Sequence, residues 1–263
     1  MKVVLITGAA SGLGWALARA CYQRGDALII TDRNAPALAD RQRTLDDDQR
    51  VLALAGDITD PSLHHALLVR IADIFGRLDI LINNAGITHR SAAAQTQAAV
   101  LKQVMEVDWL APALLANSAL PLLQQSRGLV INIGSMAGWM PLPGRAGYCA
   151  AKSALAQYFE VWRLEQERHG VSVLMAYPSF LDTPIEQNAL AADGQRAQHA
   201  RSTVGTPRSA DWMATRILDA ADAGKPRLFG DGISVFGSLL WRIWPALYLR
   251  LIRRRFASEL ARA

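Results

Sequence analysis

The sequence predicts an α/β fold, a single-domain doubly wound parallel sheet with helices on both faces. Short apolar runs recur at residues 2–6, 27–31, 51–55, 78–82, 129–133 and 171–176, and such runs suit strands buried on both faces. Helix-compatible stretches separate most of them, an alternation that builds parallel sheets. At 263 residues, 51% of them hydrophobic, the chain fits one large domain better than two small ones. That domain is expected over residues 1–232, followed by a distinct tail at 233–263.

The first strand, 2–6, runs into Thr7-Gly8-Ala9-Ala10-Ser11-Gly12-Leu13-Gly14, and a helix is expected over 15–24. Glycines at 8, 12 and 14 permit a tight turn and close backbone approach, while the helix behind them offers free N–H groups to a pyrophosphate. The strand at 27–31 ends at Asp32, at the distance where an acidic residue meets an adenosine ribose. A carboxylate there binds both ribose hydroxyls and repels a 2′-phosphate, which favours NAD. Arg33 is the counter-signal, since a guanidinium can bind that phosphate, so NADP stays open.

The strand at 51–55 exits through Gly56-Asp57-Ile58-Thr59-Asp60-Pro61 into a helix at 62–76. The run 78–82 leads into Asn83-Asn84-Ala85-Gly86, small and amide residues that suit ligand contact at a strand's carboxyl end and suit a plain turn equally. One long helix is expected over 96–124. After the strand at 129–133, Ser135 stands where its hydroxyl reaches the top of the sheet. The next helix carries Tyr148 and Lys152, whose spacing puts phenol and ammonium one turn apart on one face. A nearby cation favours the phenolate and makes the tyrosine a proton donor and acceptor near neutral pH. The spacing alone is weak; its position after the glycine turn, Asp32 and Ser135 gives it weight.

Taken together, these segments resemble the short-chain dehydrogenase/reductase family. The resemblance rests on Thr7-Gly-Ala-Ala-Ser-Gly-Leu-Gly14, Asp32, Asp57-Ile58, Asn83-Asn84-Ala85-Gly86, Ser135, Tyr148 with Lys152, and Pro178 with Thr183. It implies a Rossmann fold and an oxidoreductase that uses NAD or NADP. By resemblance, Ser135 bonds the substrate oxygen, Tyr148 exchanges the proton, and Lys152 lowers the tyrosine pKa and holds the nicotinamide ribose. The cofactor set it implies comprises Thr7, Gly8, Ser11, Gly12, Leu13, Gly14, Asp32, Arg33, Asp57, Ile58, Asn84, Ala85, Gly86, Pro178 and Thr183, with Tyr148 and Lys152. A homo-dimer or homo-tetramer is implied as well. Three sites depart from the family pattern: the bulky Trp15 follows the glycine turn and is assigned to packing, Asp108 stands where an asparagine of the proton relay is usual, and Ser179 replaces a glycine. Asp108 can accept a hydrogen bond from a relay water but lacks the amide donor. Asp108 and Ser179 motivate an alternative, a cofactor-binding sensor or scaffold with weak or no turnover.

Met136, Trp139, Met140, Pro141, Leu142, Phe180, Leu181 and Ile185 offer apolar surface near the reacting groups, which points to an apolar ketone or secondary alcohol as substrate. The same residues also suit plain core. Weak periodicity over 184–208 suits a lid. Cys21 and Cys149 have no metal-ligand spacing, so no metal site is expected, and His89 and His199 are assigned to the surface. The chain begins almost directly with a strand, which leads to an expectation of the cytoplasm.

The net charge of +5 sits in the tail: residues 241–263 hold six arginines against Glu259, and residues 1–240 balance. A neutral body argues against nucleic-acid binding. The run from 233 to 252 approaches spanning length, but Arg242, Pro245 and Arg250 interrupt it. Apolar residues lie all round a single helical wheel, giving weak amphipathy. Trp241, Trp244 and Tyr248 beside arginines fit a peripheral membrane contact, while burial in a subunit interface or against the substrate pocket accounts for the apolar part as well.

Overall fold

A computed structural model describes residues 1–198 and 206–257. β1 (Val3–Thr7) passes through the glycine turn into α1 (Gly12–Gln23), followed by β2 (Ala27–Asp32), α2 (Ala35–Leu45), β3 (Val51–Ala55), α3 (Pro61–Phe75) and β4 (Ile80–Asn83). The chain continues through α4 (Ala98–Met105), a π-helical turn (Glu106–Leu110), α5 (Ala111–Ser126), β5 (Leu129–Ile133), α6 (Ala146–Gln166), β6 (Ser172–Tyr177), α7 (Ala210–Asp222) and β7 (Arg227–Phe229). Two tail helices, α8 (Gly232–Ile243) and α9 (Pro245–Arg255), follow.

The seven strands form one parallel sheet in the order β3-β2-β1-β4-β5-β6-β7. Alternate residues of β1 serve opposite faces. Val4 and Ile6 join Leu17 of α1 and Met213 and Ile217 of α7 in one core, whereas Val3 and Leu5 join Leu67, Leu115 and Phe159 from α3, α5 and α6 in the other. Period-two burial on both faces explains why the strands read as continuous apolar runs. The order reverses between β1 and β4: the chain runs outward from β1 through β2 to β3, then crosses back through α3 to β4 on the other side of β1. The carboxyl ends of these central strands therefore border the crevice in which such sheets bind ligands.

Helix ends follow local chemistry. Asp60 accepts from the Ser62 N–H at 2.8 Å, Pro61 opens α3, and Gly76 closes it with φ +67°. The short α2 was not legible as a helix because it buries only Leu38 and Leu45.

Two expectations are corrected. The helix predicted over 96–124 starts at Ala98 and is interrupted by the π-helical turn, in which the Ala111 N–H bonds the Glu106 carbonyl five residues back. Pro112 has no N–H to return to the Asp108 carbonyl, so ordinary helical bonding cannot run through this point. In the tail, the weak amphipathy belongs to a continuous helix that does not form. The chain breaks at Trp244 and Pro245, and each half buries a face of its own, with Ser234 and Ser238 inward on α8 and Tyr248 inward on α9. No helix among the described residues is long and apolar enough to cross a membrane.

Candidate active site

The glycine turn is shaped by contacts that no side chain could share. A Cβ on Gly14 would lie 2.1 Å from the Gly8 carbonyl oxygen, and one on Gly8, at φ +66°, would lie 2.8 Å from Ala85 Cα. Thr7 locks the turn to the segment after β4: its hydroxyl accepts from the Asn84 and Ala85 N–H groups, each at 3.0 Å. The Asn84 amide donates to the Thr7 and Gly8 carbonyls at 3.0 and 3.1 Å. Ser11 precedes α1 without capping it through its side chain, and the first turn of α1 holds no acid. Unclaimed N–H groups at a helix start suit a pyrophosphate.

One cavity of about 880 Å³ runs from this turn to the tail helices. One end of the cavity is bordered by Asp32, Arg33, Asp57 and Ile58, and the middle by Gly8, Ser11, Gly12, Leu13, Asn84, Ala85 and Gly86. Ser135, Tyr148, Lys152, Pro178 and Thr183 border the far part. The cavity thus brings together most of the predicted site residues; Thr7 and Gly14 support the turn from behind. Asp32 is held in place by the Ala10 N–H on one oxygen (3.0 Å) and the Asn34 N–H on the other (2.9 Å), whereas Arg33 is exposed. The uncapped helix start, the cradle that a Cβ would fill and the fixed carboxylate fit a nicotinamide dinucleotide.

At the reacting end, Ser135 accepts the Ala137 N–H at 3.1 Å, which leaves its hydroxyl proton available to the cavity. The Lys152 ammonium donates to the Ile133 carbonyl at 3.0 Å and lies 5.7 Å from the centroid of the Tyr148 ring. Asp108 does not border the cavity. Its carboxylate stands 3.2 Å behind the Lys152 ammonium, with the two side chains 0% and 6% exposed, and accepts the Ile87 N–H at 2.7 Å. Burial pushes the Asp108 carboxyl up, against the opposing pull of Lys152 and the Ile87 N–H. The π-helical turn delivers this carboxylate to the lysine. Gly86 passes directly beside the pair: a Cβ there would sit in ordinary contact, 3.5 Å, with both the Asp108 carboxylate and the Lys152 ammonium.

Of the apolar residues expected at the substrate end, Met136, Met140, Leu142, Phe180, Leu181 and Ile185 border the cavity. Trp139 and Pro141 do not: Trp139 packs edge-on against Tyr177 and Phe229, and the Pro141 carbonyl accepts the Tyr248 hydroxyl. Ser179 also borders the cavity. Part of the segment expected to form a lid is tied down: the Leu190 N–H bonds the Thr88 carbonyl at 2.9 Å, and the Arg90 N–H bonds the Leu190 carbonyl at 2.7 Å. Residues 199–205 of that segment, His199 among them, lie outside the described residues.

His89 is not a surface residue. It is fully buried, accepts the Gly147 N–H on Nε2 at 2.9 Å, and lies 3.0 Å from Ser91 Oγ through Nδ1. An accepting Nε2 fixes the neutral tautomer with the proton on Nδ1. The ring therefore anchors the first turn of α6 one residue before Tyr148. Nothing in sequence spacing marked it, because its partner is a backbone group 58 positions away. Burial, reinforced by the Arg145 charge, lowers its pKa to about 4. The unfolded chain protonates this histidine near pH 6.5 and the folded one near 4, so its contribution to stability is full above 6.5 and falls as pH drops toward 4. His89→Gln, which keeps an acceptor but no titrating ring, is expected to flatten the stability profile across that window in pH-dependent urea unfolding.

Fold and cavity define a dinucleotide-dependent oxidoreductase class, and comparison places the chain within it. The family model for short chain dehydrogenase matches residues 2–194, and the chain belongs to that family. It is 33% identical over 266 residues to the Bos taurus protein "Dehydrogenase/reductase SDR family member 7B", covering 98% of this chain and 82% of the relative. A short-chain dehydrogenase structure from Streptomyces avermitilis superposes with a TM-score of 0.81 at 30% identity, covering 99% of this chain and 98% of that one. Another, from Sphingobium yanoikuyae in complex with NADPH, has a TM-score of 0.74 at 27% identity and covers 87% of each chain.

Proposed function

We propose that the protein catalyses reversible interconversion of an apolar secondary alcohol and its ketone, with NAD as the preferred cofactor and Tyr148 as the general acid and base. The observation that carries this reading is the single cavity in which Ser135, Tyr148 and Lys152 follow the glycine turn and Asp32. Bound nicotinamide would supply or accept the hydride. The Ser135 hydroxyl orients and polarises the substrate oxygen, and Tyr148 gives that oxygen its proton in reduction or takes it in oxidation. Lys152 brings positive charge to the phenol, and its anchor on the Ile133 carbonyl holds it there. Asp108 acts through Lys152 and is a positioning residue. Thr183 and Pro178 would hold the nicotinamide end of the cofactor, and Asp57 and Ile58 would flank its adenine.

NAD is preferred because the fixed Asp32 carboxylate accepts from ribose hydroxyls and repels a 2′-phosphate. The NADPH held by the Sphingobium structure makes NADP the alternative. Purified protein mixed with NADH or NADPH and a panel of apolar ketones is expected to oxidise NADH faster. Asp32→Ala is expected to reverse or erase that preference. Tight cofactor binding with no oxidation by any ketone would instead support the sensor or scaffold reading.

A further inference from the structure

The tail helices form one wall of the cavity beside Ser135 and Tyr148. Tyr248 donates to the Pro141 carbonyl at 2.9 Å, Phe256 is fully buried 5.9 Å from the Arg145 guanidinium, and Arg242 lies over Trp139 at 5.0 Å. Leu240, Tyr248 and Ile252 face the cavity. The outer side of the pair is apolar and open: Phe236, Ile243 and Trp244 are 66%, 80% and 60% exposed, and Ile233, Leu239 and Leu251 are exposed with them. Ile233, Phe236 and Leu251 also border the cavity, so the mouth of the cavity opens onto this apolar surface.

Charge decides what covers it. Residues 232–257 carry Arg242, Arg250, Arg253, Arg254 and Arg255 and no acid. A twofold contact between two copies would set these arginines against one another, and the balanced body offers no net counter-charge. Aromatic and aliphatic side chains beside a row of arginines match an anionic bilayer surface, where the side chains enter the headgroup region and the guanidinium groups meet lipid phosphates. We infer that α8 and α9 dock on anionic membrane and set the cavity mouth against it, so that the substrate is a membrane-resident amphiphile bearing the reacting carbonyl or alcohol. The substrate part rests on the dehydrogenase reading; the docking part does not.

The test uses the full chain with vesicles of phosphatidylcholine alone or mixed with phosphatidylglycerol. Sedimentation with the anionic vesicles is expected, and little with the neutral ones. Each arginine near the surface is worth about fivefold in affinity, so Arg250→Ala, Arg253→Ala and Arg254→Ala together are expected to weaken binding about a hundredfold. Ile243→Ser with Trp244→Ser, away from the cavity, is expected to weaken it independently. Cofactor binding and turnover of a short, water-soluble ketone are expected to persist in both variants, while turnover of a long-chain ketone embedded in anionic vesicles falls. No sedimentation, equal binding to neutral vesicles, or a concentration-dependent dimer that the Ile243 and Trp244 changes dissolve would overturn the docking inference, whatever the turnover. Normal sedimentation without turnover of any ketone would instead overturn the dehydrogenase reading and leave docking intact.

Discussion

Tyr148→Phe is expected to lower turnover by about 10²- to 10⁴-fold, the range for loss of a positioned general acid or base, while cofactor affinity is kept. The change removes one oxygen and leaves the ring, so packing at the start of α6 and its anchor on His89 stay intact. The Lys152 ammonium, held by Ile133 and Asp108, stays where it is. Fluorescence titration with NADH and steady-state turnover separate the two quantities. Turnover retained in this variant would remove Tyr148 from the role of acid and base.

Breaking the buried pair is expected to have the second large effect. Lys152→Met leaves the fully buried Asp108 without its cation, and removal of one partner of such a pair costs about 3–5 kcal/mol. Adding Asp108→Asn is expected to recover much of that loss, because the amide still accepts the Ile87 N–H and carries no charge. Turnover is expected to stay low in the double variant, since the cation near Tyr148 is gone. Denaturant unfolding of both single variants and the double variant closes the cycle.

The pH dependence follows from the same carboxyl. Burial raises the Asp108 pKa above 3.8, so the folded chain holds this proton more tightly than the unfolded one. Its contribution to stability is therefore greatest in acid and declines as pH rises from 3.8 to the folded-state pKa. Asp108→Asn is expected to remove that decline.

The fold was legible because strands buried on both faces leave continuous apolar runs, and Asp32 and the glycine turn sit at fixed offsets from two of them. The candidate site was legible wherever its residues lie in sequence-local patterns: the glycines, Tyr148 with Lys152, and Ser135 at a strand end. What escaped depends on long-range geometry. His89 acts on a backbone N–H that the fold brings to it. Asp108 was visible as a departure from the family pattern, but its place behind Lys152 follows from the π-helical turn. The tail's amphipathy looked weak on a single helical wheel because Trp244 and Pro245 divide it into two helices, each with its own buried face.

The most direct test of the central claim is transfer of deuterium from NADH or NADPH carrying the label at the nicotinamide C4 to an apolar ketone. Label is expected on the carbinol carbon of the product, faster with NADH, and is expected to be lost in Tyr148→Phe. Oxidation of neither labelled cofactor, although both bind, would contradict it.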